Sequence, residues 1–216
     1  MSTLLLRLAG PMQAWGTDSK FDERRTGREP SKSGVIGLVA AALGIRRQQK
    51  EALKELAELR FGVRVDKEGS IRRDLHIARD YLSKKEPVSY LTHRYYLEDA
   101  SFVAGLESEN RELLERIGQA LQAPAFPLYL GRRSCPPTGR VFLEIVEKPL
   151  EEALRATAQP TSTRLVMDAG PEETGGLVRD VPLSFDPVRR EYTYRRVKEQ
   201  SLRLKTVHDP MAELEE

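Results

Sequence analysis

The residues in this chain best suited to chemistry are arginines, and they gather in loops rather than around a nucleophile. Arg132 and Arg133 stand side by side in Gly131-Arg132-Arg133-Ser134-Cys135-Pro136-Pro137. A guanidinium forks two N–H groups toward one anion, so adjacent arginines in a Gly/Pro-bounded turn suit a grip on a phosphate backbone. The plainer alternative is a solvated charged turn. A second basic segment runs from Arg24 through Arg25, Thr26, Gly27, Arg28, Glu29, Pro30, Ser31, Lys32 and Ser33 to Gly34, where a helix is expected to begin. Free N–H groups and the positive end of the helix dipole attract phosphate at such a point. Arg24, Arg25, Arg28, Ser31, Lys32 and Ser33 are therefore candidate anion ligands. Their spacing is not that of a nucleotide-hydrolysing loop, and an ordinary capped helix behind a charged loop explains the same residues.

Two further segments present aromatic faces. Gly10-Pro11-Met12-Gln13-Ala14-Trp15-Gly16 holds the only tryptophan. An indole in a Gly-flanked turn can stack on a base, and Gln13 can read a base edge; Trp15 can equally plug the edge of the core. Residues 67–99 carry seven Lys/Arg and four Tyr with little apolar periodicity. Interleaved basic and aromatic side chains, Arg94 and Tyr95 among them, mark single-strand binding surfaces. They also dominate protein interfaces, so a docking hairpin for a partner fits as well.

Signatures of hydrolytic, phosphoryl-transfer and redox enzymes are absent: the sequence has no Walker loop, HExxH, CxxC, GxSxG or GxGxxG. One cysteine, Cys135, with His76, His93 and His208 makes no standard zinc set and no internal disulfide. No cofactor and no metal are expected, and Cys135 is read as packing rather than reacting. His76, Tyr81, Lys84, Lys85 and His93 offer the ingredients of metal-independent RNA cleavage, a base near a 2′-hydroxyl and a cation near the phosphate. They sit in one segment without compact spacing.

Composition sets the frame. The chain has 216 residues, 39% hydrophobic and 31% charged, with a net charge of +2, as expected of a globular chain that is neither disordered nor membrane-spanning. The N-terminal apolar run is short and lacks a basic lead, so it reads as a strand, and a cytoplasmic setting is the expectation. Arginine outnumbers lysine 25 to 10, which favours planar bidentate recognition but also follows from genomic base composition or thermophily.

The elements that must position these loops follow from periodicity. Strands are predicted at 3–9, 60–66, 100–106 and 141–147, and helices at 33–43, 48–59, 108–122 and 149–156. Ser31 or Ser33 caps the first helix and Gly44 closes it. The order β-α-β-insertion-β-α-β predicts an α+β fold, a ferredoxin-like or RRM-like antiparallel sheet with helices on one face. Strand-like pieces at 163–167 and 188–197 suggest a C-terminal β extension. The expected division is an RRM-like domain over 1–158, with its insertion at 67–99, and the extension over 159–216.

Taken together, Leu6 to Gly16, Thr26-Gly27-Arg28-x-Pro30-Ser31-Lys32-Ser33-Gly34, Leu43-Gly44-Ile45, Arg79-Asp80-Tyr81, Asp99-Ala100-Ser101-Phe102 and Tyr129 to Pro136 resemble, in order, the CasD family of type I-E Cascade subunits in the RAMP superfamily of CRISPR proteins. The resemblance spans about two-thirds of the chain; beyond roughly residue 160 it fades. It implies a non-catalytic subunit that caps the repeat-derived 5′ handle of the CRISPR guide RNA (crRNA) in antiviral defence. The insertion becomes a thumb-like β-hairpin that splays a base at the handle–spacer junction. The implied partners are crRNA and the Cascade backbone and large subunits, with target DNA met only through the assembled complex and no membrane. Gln13 and Trp15 would then face handle bases, Arg28, Ser31, Lys32 and Ser33 would hold phosphates, Arg132 and Arg133 would hold the backbone from the opposite loop, and Arg94 and Tyr95 would lie at the thumb. A related subunit of type I-C systems cuts precursor RNA, which keeps endoribonuclease activity as the alternative.

Overall fold

The computed structural model of the chain describes residues 1–16, 22–80, 88–158 and 161–202. In chain order the elements are β1 (Ser2–Ala9), β2 (Met12–Gln13), β3 (Glu23–Arg24), α1 (Lys32–Ala42), α2 (Lys50–Ala57), β4 (Arg60–Lys67), β5 (Ser70–Asp80), β6 (Val88–Glu98), β7 (Ser101–Ser108), α3 (Arg111–Gln122), β8 (Phe142–Val146), α4 (Leu150–Ala156), β9 (Arg164–Asp168), β10 (Gly176–Phe185) and β11 (Arg190–Ser201). The fold is mixed α+β, with four helices and mostly antiparallel sheets among the described residues.

One seven-stranded sheet runs β10-β11-β9-β4-β7-β1-β8 with every neighbour antiparallel. β1 lies inside it with helices packed on both faces, so Ser2 to Leu6 are all buried, which is why its apolar run shows no alternation. On one face α1, α2 and α3 cover Leu4, Leu6, Leu8, Phe61, Phe102 and Leu106. On the other, Leu150 and Leu154 of α4 pack with Leu5, Val103, Leu165 and Met167. The expectation of helices on one face thus misses α4. Its seat is made by Gly62 and Gly105, directly paired across β4 and β7, whose missing side chains leave room for Leu150 and Leu154.

Local signals set the helix ends. Ser31 caps α1, its hydroxyl accepting from Gly34 N at 3.3 Å. Asn110 caps α3, accepting from Leu113 N at 3.0 Å, so this helix begins three residues later than its apolar periodicity predicts. β10 escapes the sequence reading because two bulges break its register and Pro182 interrupts it. It is the sheet's edge strand, where proline is tolerated.

Within the 67–99 insertion, β5 and β6 pair as an antiparallel ribbon. Its two 11-residue strands reach about 35 Å at roughly 3.3 Å per residue. β2 and β3 line the other edge of β6, so Met12–Gln13 and Glu23–Arg24 both lie along the ribbon's base. No helix among the described residues is long and apolar enough to cross a membrane.

Candidate functional site

The motif loops are tied to one another. Ala14 N donates to Leu130 O at 3.0 Å, and the turn beyond it is closed by Leu130 N to Cys135 O at 2.7 Å and Cys135 N to Arg132 O at 2.9 Å. At the crossing Gly131 has φ +91°, and a Cβ there would stand 1.8 Å from Ala14 O. Both the left-handed backbone and the contact demand glycine. Trp15 N donates to Thr26 Oγ1 at 2.8 Å and Gly27 N to Trp15 O at 2.9 Å, which zips the second segment onto the first. His93 N donates to Asp22 O at 2.7 Å, pinning both to the ribbon.

Arg132 fastens the assembly. Its Nη1 donates to Tyr95 O at 3.1 Å and its Nη2 to Arg24 O at 2.6 Å. The guanidinium lies 4.8 Å from the centre of the Tyr96 ring. A planar fork reaching two carbonyls while stacking on a ring is work that a lysine ammonium cannot reproduce.

The expected base readers are buried. Trp15 is 1% and Gln13 0% exposed. Trp15 Nε1 donates to Gln13 Oε1 at 2.8 Å, and Gln13 Nε2 donates to Ala100 O at 2.8 Å and Leu8 O at 3.3 Å. The indole lies where a side chain on Gly34 would be, with ring carbons 2.8 and 3.0 Å from that position. In this structure neither residue offers a face or an edge to a base; together they lock the first loop to α1.

The expected phosphate site at the start of α1 is also filled from within. Lys32 N donates to Asp180 Oδ2 at 2.7 Å, and Lys32 Nζ pairs with Asp168 at 3.4 Å. Arg195 closes the group with bonds to Asp180 at 2.6 and 2.9 Å and to Asp168 at 2.7 Å, and lies over the Phe61 ring at 5.0 Å. Burial pushes the Lys32 ammonium below its ordinary pKa, against the pull of Asp168. Burial also works against the charge of Arg195, but its bonds to Asp180 and Asp168 outweigh it and hold its pKa above the usual arginine value. A protein carboxylate thus stands where a phosphate was expected, and Ser31 is occupied by its cap. Sequence reasoning missed Asp168, Asp180 and Arg195, which lie in the strands least legible by pattern.

Other predicted residues face outward. Arg24, Arg25, Arg28 and Arg133 are exposed and Ser33 is half-buried, with Arg25 paired to Glu23 at 2.9 Å. Arg94 and Tyr95 are half-buried at the ribbon's base, and Arg94 Nε is shielded from solvent without a hydrogen-bond partner among the described residues. Arg24, paired with Arg94 across β3 and β6, its neighbour Arg25, and Arg133 beside Arg132 lie near one junction, while Arg28 sits near Glu68; clustered guanidiniums of this kind suit an extended polyanion.

The two candidate cleavage histidines among the described residues do not come together. Cross-strand pairing places His93 opposite Leu75 and His76 opposite Thr92, so the two imidazoles project from opposite faces of the ribbon. His76 meets Asp74 at 3.0 Å, and Arg73 Nε donates to His93 Nδ1 at 3.2 Å. Tyr81, Lys84 and Lys85 lie outside the described residues. Cys135 is buried, and burial pushes its thiol pKa up, which fits a packing role. Among the described residues no three His, Cys, Asp or Glu side chains gather to hold a metal ion.

Comparison with known proteins matches residues 3–198 to the family described as CRISPR-associated protein (Cas_Cas5). Over 157 residues the chain is 40% identical to the CRISPR system Cascade subunit CasD of Escherichia coli (strain K12), covering 66% of this chain and 70% of that protein. A solved structure described as "Crystal structure of Cas protein" shares 42% identity and a TM-score of 0.72 over 93% of this chain and 94% of that one. A chain of a "CRISPR RNA-guided surveillance complex" shares 33% identity and a TM-score of 0.77, over 92% and 89%.

Proposed function

The chain belongs to the Cas5 family of CRISPR-associated proteins, and on that premise we propose that it is the Cascade subunit that holds the 5′ handle of crRNA without cutting it, in antiviral defence. Its likeness to CasD and to a chain of an RNA-guided surveillance complex supports a Cascade role. The observation that carries the RNA-gripping part is the Arg132 knot. One guanidinium ties the 24–34 segment to the ribbon carbonyl at Tyr95, Arg24, Arg94 and Arg133 lie beside it, and Arg28 is exposed farther along the same segment. Such a surface meets phosphates of a strand passing the ribbon's base, not the pocket of a small substrate.

The finer architecture belongs to the same reading. The run β4-β7-β1-β8 within the sheet has the strand order of a ferredoxin-like, RRM-like unit, which supports that assignment for 1–158 with 159–216 as an extension. The β5/β6 ribbon is the natural thumb, set to part a base at the handle–spacer junction. Contacts with the Cascade backbone and large subunits, target DNA met through the assembled complex, a cytoplasmic setting and the absence of a cofactor complete the proposal. Opposed His76 and His93 favour a non-catalytic role over endoribonuclease activity.

The test is a gel assay of the purified protein with labelled repeat RNA in EDTA, run on native and denaturing gels. A retarded native band with RNA of unchanged length is the expected result. A shorter product on the denaturing gel overturns the non-catalytic reading.

A further inference from the structure

Asp180 carries a charge where an edge strand ordinarily meets water. It lies in β10, at the end of the large sheet, yet it is 1% exposed, and an aspartate is buried so fully only when it is paired. The register passes from Arg179–Tyr194 to Val181–Thr193, so Asp180 is the extra residue of a bulge, a device that re-aims a side chain. Here it aims the carboxylate at the start of α1, 148 residues away in sequence, where Lys32 N donates to Oδ2. Arg195 Nε and Nη2 hold the same carboxylate at 2.6 and 2.9 Å, while Arg195 Nη1 and Lys32 Nζ reach Asp168 at 2.7 and 3.4 Å. Asp168 also accepts from Phe61 N at 2.9 Å, which ties the group to β4.

Two largely buried carboxylates and two largely buried cations cancel in charge but cost desolvation, and well-packed apolar side chains would stabilise the sheet as well. What distinguishes the charged group is the segment it reaches. A second tether from the same strands reaches that segment too: Arg164 of β9 pairs with Glu29 at 3.0 Å. On its other side the segment is tied to the first motif through Trp15 N to Thr26 Oγ1 at 2.8 Å and Gly27 N to Trp15 O at 2.9 Å. Arg28 is exposed and stands between these ties, with Gly27 before it and Glu29 after it. Its backbone is therefore fixed on both sides, and the later tethers come from strands that lie beyond residue 158.

We propose that Asp180 is a positioning residue for RNA binding: through Lys32 N, with the Glu29–Arg164 pair as a second tether, the C-terminal strands set the 26–34 loop so that Arg28 meets a phosphate. The inference rests on the RNA-holding function above and gives the C-terminal strands a part in it. Asp180 touches no RNA; it acts only through the loop. A loop already held in place loses little conformational freedom when RNA arrives, whereas a slack one must be ordered by the RNA, and the affinity falls.

The experiment uses Cascade reconstituted around this chain and follows hydroxyl-radical cleavage of the guide's 5′ handle as KCl is raised. Asp180→Asn keeps the size and one acceptor but removes a negative charge, as does Glu29→Gln at the more exposed tether. A bare charge effect would tighten the RNA and move the loss of protection to higher salt. Positioning predicts the opposite. In Asp180→Asn the handle is half-protected at about half the salt the parent tolerates, the shift that a roughly tenfold weaker grip gives at a slope of about 0.7 per phosphate contact. Glu29→Gln moves the same way by less. Arg28→Ala lowers the parent's midpoint but not that of Asp180→Asn, because residues acting through one contact are not additive. Gly105→Ala, which sets a Cβ 2.5 Å from Leu150 Cδ1 on the α4 side of the sheet, is the destabilised control and keeps the parent's midpoint. A midpoint at or above the parent's in Asp180→Asn, or an undiminished effect of Arg28→Ala in that background, overturns the positioning role and leaves the RNA-holding function intact. If Asp180→Asn does not assemble, Glu29→Gln decides by the same two readings. A handle cleaved in parent Cascade as freely as in bare guide overturns both.

Discussion

Replacing Arg132 with alanine removes two N–H donors and a ring contact in one step. The bonds run to Arg24 O at 2.6 Å and Tyr95 O at 3.1 Å, with Tyr96 4.8 Å away. A hydrogen bond with one charged partner contributes about 1.5–3 kcal/mol, and a partly exposed cation–ring contact about 0.5–1 kcal/mol. The Arg24 bond is open to solvent, and water re-solvates both carbonyls after truncation, which halves the hydrogen-bond share. The expected loss is about 2–4 kcal/mol. Arg132→Lys keeps the charge but reaches at most one carbonyl and stacks poorly, so it loses about 1–2 kcal/mol. Urea denaturation with an unchanged m-value reads both variants. If both unfold within about 0.5 kcal/mol of the parent, as ordinary surface substitutions do, the knot does not hold the loops together. If lysine alone restores full stability, charge rather than the fork is what matters, and the reasoning fails in that different way.

Further outcomes follow from other contacts. Gly105→Ala sets a Cβ 2.5 Å from Leu150 Cδ1 and lowers stability by about 1–3 kcal/mol; an unchanged melting temperature would show that α4 can shift freely. Asp180→Ala leaves Arg195 buried with one carboxylate fewer and strips the partner from Lys32 N, costing about 3–5 kcal/mol by the same denaturation assay. The pH response has a defined sign. Burial alone would raise the Glu151 pKa, but hydrogen bonds from Lys198 and Arg155 and their charges hold it below the ordinary 4.5. Stability from Glu151 is therefore fully present above that value and lost as pH falls through the lower, folded-state pKa. Glu151→Gln makes the acid limb of the stability–pH curve shallower, and an unchanged limb contradicts the assignment.

Elements whose pattern is local were legible in the sequence. α3 announced itself through Leu113, Leu114, Ile117 and Leu121 on one face, and Ser31 as a cap. The loops holding Arg132 and Arg133 stood out because glycine and proline bound them. The uses of individual side chains were not legible, since they depend on distant partners. Nothing around Trp15 discloses that Gly34 will open a slot for its ring. Nothing around Lys32 points to Asp180, 148 residues away, so a helix start rich in positive potential looked ready for phosphate.

The central claim, that this chain holds the 5′ end of the guide, is tested most directly by nuclease footprinting of crRNA. The complexes compared would be Cascade assembled with the parent chain and with the Arg24→Glu/Arg28→Glu/Arg133→Glu variant. The account predicts that the 5′ handle loses its protection in the variant while the spacer stays covered. A handle equally protected in both complexes would contradict it.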